Sequence, residues 1–189
     1  MTSYENYAKT SRKTVFLDRD GTLIIDKIYL NDPDQIEYLP GVFEALCRLR
    51  DGGYQFIVVT NQSGIARGIV SVENLNETHR RIRAAFAEHG VEFKEFYYAP
   101  YSVESDHPMR KPHPGMLLQG AKDFDVYLPK SWMIGDRLSD VIAGSRAGCR
   151  TILLSGVELP DPTAPQEAQP TRIVDSLLAA ADQILKSEP

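Results

Sequence analysis

Residues 15–24 read VFLDRDGTLI, in which three apolar residues lead directly into three charged residues and a glycine. An uninterrupted apolar run of this kind is typical of a strand buried on both faces of a parallel sheet. The charges that follow it predict the point where the chain leaves the interior, and Gly21 permits a turn there because it has no Cβ. Two carboxylates, Asp18 and Asp20, therefore lie at the carboxyl end of a predicted strand.

Short apolar segments alternate with helical patterns along the rest of the chain. The predicted strands are TVFLD (14–18), FIVVTN (56–61), EFYYAP (95–100), SWMIGD (131–136) and TILLSG (151–156). The predicted helices are 40–49, one capped by Ser71 that ends before Gly90, 116–124, 138–147 and about 172–186. This alternation predicts an α/β fold: a doubly wound (Rossmann-like) parallel sheet of about five strands with helices on both faces.

The chain length fits a single domain over residues 1–189, with a core of about 14–156. Too few residues separate Gly21 from Pro40 for a folded insertion, so we expect no separate cap domain.

Composition limits the partners. The 189 residues carry a net charge of −5, which argues against a nucleic-acid partner, since such binding needs a basic surface. The two cysteines, Cys47 and Cys149, are typical of reduced thiols. No apolar run is long enough to span a membrane, and the N-terminal 14 residues lack the apolar region of a secretory signal. We expect a cytoplasmic protein that acts as a monomer, and the mild net charge does not exclude a small anionic substrate.

Polar residues at three predicted strand ends indicate a metal site. Ligands of doubly wound sheets bind at the carboxyl ends of the strands, so Asp18, Thr60 and Asp136 are expected to meet at one edge. Close carboxylates repel one another unless a cation lies between them, and Mg²⁺ prefers oxygen ligands. Asp140, one helical turn after Asp136, has two open interpretations: it braces the water shell of the metal, or it is a solvated residue near a helix start.

The same residue types suit phosphoryl transfer. A carboxylate nucleophile beside Mg²⁺, with a second carboxyl group to move protons, can act through an aspartyl-phosphate. Thr60 and Lys111 offer donors for the negative phosphoryl oxygens. Arg19, between the two carboxylates, is expected to point away from them if the strand persists that far.

The ordered set DxDGT, Thr60, Lys111 and GDxxxD resembles the haloacid dehalogenase (HAD) superfamily of phosphotransferases over residues 15–156. Three longer segments are similar to the family of D-glycero-D-manno-heptose 1,7-bisphosphate 7-phosphatases: TNQSGIARG (60–68), YYAP (97–100) and RKPHPGML (110–117). Hydrolysis of the 7-phosphate of that sugar is the activity that the resemblance implies.

The resemblance also implies roles for individual residues. Asp18 would be the nucleophile, and Asp20 the general acid and then the base. Thr60 and Lys111 would stabilise the phosphoryl group. One Mg²⁺ would be held by Asp18, the backbone carbonyl of Asp20, and Asp136. Substrate contacts are implied for six further residues: Asp26, Asn61, Gln62, Ser63, Arg110 and Arg137.

The sequence departs from the family at a structural zinc site. Where the family commonly has a Cys-x-His pair and a Cys-x-Cys pair, this chain has Ala99, Tyr101, His107 and Met109. Zinc in structural sites takes four ligands, so no structural zinc is expected, and His107 is expected to be a solvated loop residue.

Two other functions remain open at this stage. One is a phosphatase for histidinol phosphate or another small phosphomonoester. The other, from a different class, is a receiver-like signalling module, which also uses a strand-end aspartate, Mg²⁺, Thr and Lys. Asp20 favours an enzyme, since an acid two residues after the nucleophile serves turnover.

Overall fold

Six parallel strands form one sheet in the computed structural model, which describes residues 12–187. The N-terminal residues 1–11 and the last two residues of the predicted 1–189 domain lie outside that range. The strands are β1 (Thr14–Leu17), β2 (Gln55–Asn61), β3 (Phe93–Ala99), β4 (Trp132–Gly135), β5 (Arg150–Leu154) and β6 (Arg172–Val174). Their order across the sheet is β3-β2-β1-β4-β5-β6, with every neighbouring pair parallel.

Helices cover both faces of the sheet, as predicted. They are α1 (Val42–Asp51), α2 (Ser63–Ala66), α3 (Val72–Ala87), α4 (Gly115–Asp123), α5 (Leu138–Ala147) and α6 (Leu177–Lys186). Alternate residues of β1 serve opposite faces: Val15 and Leu17 pack among α1, α3 and α6, whereas Phe16 packs among α4 and α5. This alternation produces two hydrophobic layers, one on each face of the sheet, from central strands that are apolar at most positions.

The C-terminal segment corrects two sequence predictions. The helix predicted over about 172–186 begins only at Leu177, and residues 172–174 form a sixth strand beside β5, so the sheet has six strands and not about five. The hydroxyl of Ser176 accepts a hydrogen bond from the backbone N–H of Ala179, which fixes the start of the helix. The residues before this cap, Ile173 and Val174, are β-branched and suit a strand.

A serine and a glycine fix one end each of two helices. The Ser71 hydroxyl accepts from the backbone N–H of Asn74 and so caps α3, as predicted. Gly148 ends α5 with φ +87°, a backbone conformation that favours glycine.

The segments between the strands are loops and helices. Residues 18–41 contain one short 3₁₀ turn, and residues 100–114 contain another. Among residues 12–187, no inserted segment between strands forms a second sheet. None of the helices in this range combines the length and the apolar character that a membrane-spanning helix needs.

Candidate active site

The predicted strand-end residues meet where β1 and β4 lie side by side. Asp18 directly follows β1, Thr60 is the next-to-last residue of β2, and Asp136 directly follows β4. In this strand order the chain winds outward in opposite directions from the β1–β4 pair, and the carboxyl end of such a switch point forms a crevice. All three residues line a cavity of about 180 Å³, a volume suited to a small polar group.

Most of the other predicted site residues line the same cavity: Asp20, Asp26, Asn61, Ser63, Arg110, Lys111 and Arg137. Gln62 does not line the cavity; it is 6% exposed and donates to two lining residues, Asp20 and Thr60. The structure thus brings together the whole predicted set, drawn from strand ends and from loops up to 119 positions apart in the sequence.

Lys111 is the buried cation of the site. Its Nζ atom lies 2.8 Å from Oδ1 of Asp18 and 2.6 Å from Oδ1 of Asp140. The same atom donates a hydrogen bond to the backbone carbonyl of Val59 at 2.7 Å. Burial alone would lower the pKa of Lys111, but the Asp140 and Asp18 carboxylates outweigh it and raise that pKa above its usual value. Lys111 is therefore charged and is fixed beside Asp18.

Asp140 is buried, which rules out the interpretation of a solvated residue. One carboxylate oxygen pairs with Lys111, and the other accepts the backbone N–H of Arg137 at 3.0 Å, as part of the cap of α5. Burial raises the pKa of Asp140, and the charge of Lys111 opposes that shift. Both oxygens are engaged, so Asp140 acts as the anchor of Lys111.

Three carboxylates form a potential metal site. One oxygen from each of Asp18, Asp136 and Asp140 lies within 4.8 Å of the others, the one such group found in the part of the chain that the structure describes. Burial and then the charges of Asp18 and Asp140 raise the pKa of Asp136 to about 7. A buried cluster of repelling hard oxygen ligands fits Mg²⁺.

Gly21 allows the third carboxylate to approach. Its φ is +76°, and a Cβ at this position would overlap the carboxylate of Asp136. Nearby, no backbone N–H within residues 12–187 donates to the carbonyl oxygen of Asp20, which leaves this oxygen available as a further hard ligand.

Asp20 is held from two sides. Its carboxylate accepts from Nε and Nη2 of Arg19 at 2.8–3.2 Å and from Nε2 of Gln62 at 2.9 Å. Arg19 was expected to point away only if the strand persisted to position 19; β1 ends at Leu17, so strand alternation does not apply there, and Arg19 turns toward Asp20. Burial raises the pKa of Asp20, and the neighbouring Arg19 charge only partly opposes this. A carboxyl group with a raised pKa is suited to carry a proton.

The side chains of residues 60–62 (TNQ) are held by hydrogen bonds to one another and to neighbouring segments. Gln62 donates to Oγ1 of Thr60 at 3.0 Å as well as to Asp20. The side-chain amide of Asn61 makes two hydrogen bonds with the backbone of Lys111, at 3.0 and 3.1 Å, and so joins the end of β2 to the following loop. The amides of Asn61 and Gln62 are thus engaged by the protein itself, and Ser63 opens the short helix α2.

Two arginines stand on the rim. The guanidinium of Arg137 faces three carboxylates. Its Nη2 lies 3.3 Å from Oδ2 of Asp26, its Nε 3.6 Å from Oδ2 of Asp136, and its Nη1 3.7 Å from Oε1 of Glu158. Arg110 is half-buried, its Nη1 donates to the backbone carbonyl of Tyr101 at 3.3 Å, and burial lowers its pKa. Both guanidinium groups keep donors that can bind a phosphate.

The four positions at which the resemblance implied zinc ligands in the family have other contacts in this chain. Ala99 is buried at the end of β3, and Met109 packs against the α4–α5 layer. The rings of Tyr101 and His107 stack with centroids 3.4 Å apart, and Nδ1 of His107 accepts the backbone N–H of Met109. His107 is a loop residue, but it is half-buried and not fully solvated, because its ring stacks on that of Tyr101.

Three contributions to the site could not be resolved from the sequence. They are the hydrogen bonds from Arg19 to Asp20, the ion pair of Asp140 with Lys111, and the contact of His79 with Arg19. A signal for His79 exists. It falls on the apolar stripe of α3 between Leu75 and Ile82, where an amphipathic helix faces the core.

Comparisons with known proteins agree with this geometry. The sequence model of the HAD-hydrolase-like family matches residues 108–180. A D-glycero-beta-D-manno-heptose-1,7-bisphosphate 7-phosphatase of Pasteurella multocida (strain Pm70) is 40% identical over 149 residues, covering 76% of this chain and 81% of the relative. A protein of the same name from Vibrio cholerae serotype O1 is 36% identical over 183 residues, covering 93% and 98%.

A solved structure is also similar over nearly the whole chain. The crystal structure of D,D-heptose 1.7-bisphosphate phosphatase from B. bronchiseptica, complexed with magnesium and phosphate, matches with a TM-score of 0.81 at 31% identity. The match covers 93% of this chain and 99% of that one.

Proposed function

Since the chain belongs to the D-glycero-D-manno-heptose 1,7-bisphosphate 7-phosphatase family of HAD-like hydrolases, we propose that it removes the 7-phosphate of that sugar. The observation that carries the chemistry is the convergence of Asp18, Lys111 and Asp136 in one small cavity. A phosphomonoester hydrolase needs the nucleophile, cation and metal carboxylate that these three supply. Membership of this family of hydrolases also decides against a receiver-like signalling module.

In the proposed first half-reaction, a carboxylate oxygen of Asp18 attacks phosphorus in line, and the bond from phosphorus to the sugar oxygen breaks. Asp20 donates its proton to the departing oxygen. Lys111 places its charge beside the phosphoryl group that becomes bonded to Asp18. The hydroxyl of Thr60 already accepts from Gln62, so its own proton is left to donate to a phosphoryl oxygen.

In the second half-reaction, Asp20 accepts a proton from water as that water attacks phosphorus. The bond between phosphorus and Asp18 breaks, inorganic phosphate leaves, and both carboxyl groups return to their starting states.

We propose that Asp18, Asp136 and the backbone carbonyl of Asp20 hold one Mg²⁺. When bound, the ion offsets the carboxylate charges and those of the phosphoryl oxygens. The raised pKa of Asp136 and the unpaired carbonyl of Asp20 support this ligand set. Asp140 is left out because both of its oxygens are engaged by the protein.

Mg²⁺ binding is expected to offset the destabilisation that the buried, ionised carboxylate of Asp136 causes beside Asp18 and Asp140. The pKa of Asp136 is about 7 in the folded chain against an ordinary value of 3.8, so its contribution to stability is lost as the pH rises through 7. At pH 8 in EDTA, Asp136→Asn should raise the free energy of unfolding by about 1–2 kcal/mol. Mg²⁺ should raise the Tm of the parent protein but not of the variant, as measured by thermal unfolding. An equal Mg²⁺ shift in both would contradict the assignment, and Asp182→Asn on the exposed face of α6 is the matched control.

The loop after β3 is proposed to need no zinc. The stack of Tyr101 on His107 and the burial of Ala99 occupy the places of the family's ligands. Elemental analysis of purified protein, after dialysis without chelator, is expected to find far less than one zinc per chain. A stoichiometric zinc would overturn this proposal and leave the phosphatase proposal intact.

Arg110 is the proposed anchor of the second phosphate, on the rim of the cavity. Arg110→Gln is expected to raise the KM for heptose 1,7-bisphosphate about tenfold or more, because a charge-assisted bidentate contact is lost. The KM for the corresponding 7-monophosphate should change little. Arg80→Gln, an exposed position of α3, is the matched control, and equal losses on both substrates would contradict the role of Arg110.

The substrate assignment is tested by a phosphatase panel with both anomers of heptose 1,7-bisphosphate, histidinol phosphate and unrelated monoesters. We expect the highest kcat/KM for the β anomer, since the similar proteins are named for it. Comparable values for many monoesters would overturn the assignment.

The remaining proposals concern the chain as a whole. We propose that it acts as one domain with an open cavity mouth, because the segments that reach the mouth are loops. We also propose a cytoplasmic monomer, and the two unpaired thiols, Cys47 and Cys149, support the reducing compartment.

A further inference from the structure

Arg19 is a buried arginine that the phosphatase mechanism does not use. Its side chain is 1% exposed, although it directly follows the nucleophile and lies at the end of a strand. One edge of its guanidinium, Nε with Nη2, is turned to the carboxylate of Asp20. The remaining nitrogen, Nη1, points back into the protein, to a side chain 60 positions away.

That side chain is His79 of α3. Its Nε2 atom lies 3.2 Å from Nη1 of Arg19, and its ring packs against Phe96, with centroids 4.8 Å apart. Burial, then the charges of Arg19 and Arg83, lower the pKa of His79 to about 3, so the ring is neutral. A guanidinium can only donate, so Nε2 is the acceptor and the ring proton is on Nδ1.

These contacts form a continuous series of hydrogen bonds from the core to the cavity. Arg19 donates both to His79 and to Asp20, and Gln62 donates to Asp20 from the other side. A guanidinium is planar, so a partner on Nη1 fixes the direction of its opposite edge. The hydrogen bond from Arg19 to His79 therefore restricts the orientation of the guanidinium edge that donates to Asp20.

We propose that His79, acting through Arg19, is a positioning residue for the acid–base group Asp20. This inference rests on the proposed function, which assigns proton transfer to Asp20. A general acid must stay within hydrogen-bond reach of the leaving oxygen, and small displacements of such a group cost rate. The side chain of Asp20 is 20% exposed at an open mouth, so a fixed support behind it has a clear use.

Two substitutions separate the acceptor of His79 from its packing. His79→Phe keeps a ring against Phe96 and removes the acceptor, whereas His79→Gln loses the ring and keeps an amide oxygen that can accept from Arg19. The readout is kcat/KM, which covers the steps up to departure of the leaving group. Two substrates are compared: 4-nitrophenyl phosphate, which needs little protonation, and a sugar phosphate that the parent enzyme hydrolyses, heptose 1,7-bisphosphate first.

We expect His79→Phe to lower kcat/KM for the sugar phosphate about tenfold, a part of the 10²–10⁴-fold that general acid catalysis supplies. On 4-nitrophenyl phosphate the loss should stay below about threefold, and KM should change little on either substrate. His79→Gln should recover most of the loss. Thermal unfolding checks that each variant is folded, and Arg19→Lys, which keeps the charge but loses the fork, is the second variant if His79→Phe does not fold.

Asp20→Asn separates the two ways of failing. If it leaves the sugar-phosphate rate unchanged, Asp20 is not the acid, and the proposed mechanism and this inference both fall. If Asp20→Asn is impaired but His79→Phe retains full activity, only the positioning role is overturned. Equal losses on both substrates, or no recovery in His79→Gln, would show a structural role alone and overturn it too. In the Asp20→Asn background, His79→Phe is expected to have no further effect.

Discussion

Asp18→Asn is expected to lower Mg²⁺-dependent phosphate release by about 10⁴-fold or more, the largest loss of any single change in this chain. An amide cannot form the acyl phosphate that the two half-reactions share. The geometry makes replacement by another group difficult, because the other carboxylate that contacts Lys111, Asp140, has both oxygens engaged by the protein, whereas Asp18 uses one. Continuous phosphate-release assays at saturating substrate measure the effect directly.

A trapped intermediate gives a second measurement. Acid quench of the parent enzyme during turnover, followed by mass spectrometry, should find phosphate on the peptide that contains Asp18 and none in Asp18→Asn. Asp182→Asn, which removes a carboxylate from an exposed ion pair with Arg48, serves as the control and should keep normal activity. Phosphate release at the parent rate by Asp18→Asn would show that Asp18 is not the nucleophile.

Lys111→Met is expected to damage both activity and stability. Removing the cation leaves two buried carboxylates, Asp18 and Asp140, without their partner, and breaking a buried ion pair in this way costs about 3–5 kcal/mol. Activity should fall about 10³-fold, because the positive charge beside the phosphoryl group is lost as well. Urea unfolding and phosphate-release assays measure the two effects separately.

A double variant tests the cause of the stability loss. Lys111→Met with Asp140→Asn should recover part of the free energy of unfolding, since one unpaired carboxylate is removed, while activity stays low. Lys122→Met, at an exposed position of α4, is the matched control and should alter neither quantity much. If Lys111→Met unfolded at the same urea concentration as the parent, the ion pairs of Lys111 would have no net effect on stability.

The central strands of the fold could be predicted because each is apolar at almost every position, a pattern that parallel sheets require. The strand β6 could not. It has three residues, and its Ile173 and Val174 continue the apolar periodicity of the helix that follows, so the pattern alone does not separate them. Pairing with β5 and the cap at Ser176 make that distinction, and the first of these is a tertiary contact.

The candidate site shows the same division. Asp18, Thr60 and Asp136 could be placed together from topology, since parallel strands share one carboxyl edge. Arg19 could not be placed correctly, because the direction of a side chain after the end of a strand depends on its partners and not on alternation. Its partner His79 comes from a helix 60 residues later, and no local pattern connects the two.

The order of the strands has a consequence for how this enzyme family can diversify. The proposed nucleophile Asp18, Thr60 and Asp136 come from three adjacent central strands. The loop that carries the stack of Tyr101 and His107 instead follows β3, at the edge of the sheet. An edge loop can be exchanged without moving the central strands. We therefore expect that exchanging residues 100–109 as one unit would change substrate preference while leaving the hydrolytic chemistry of this chain in place.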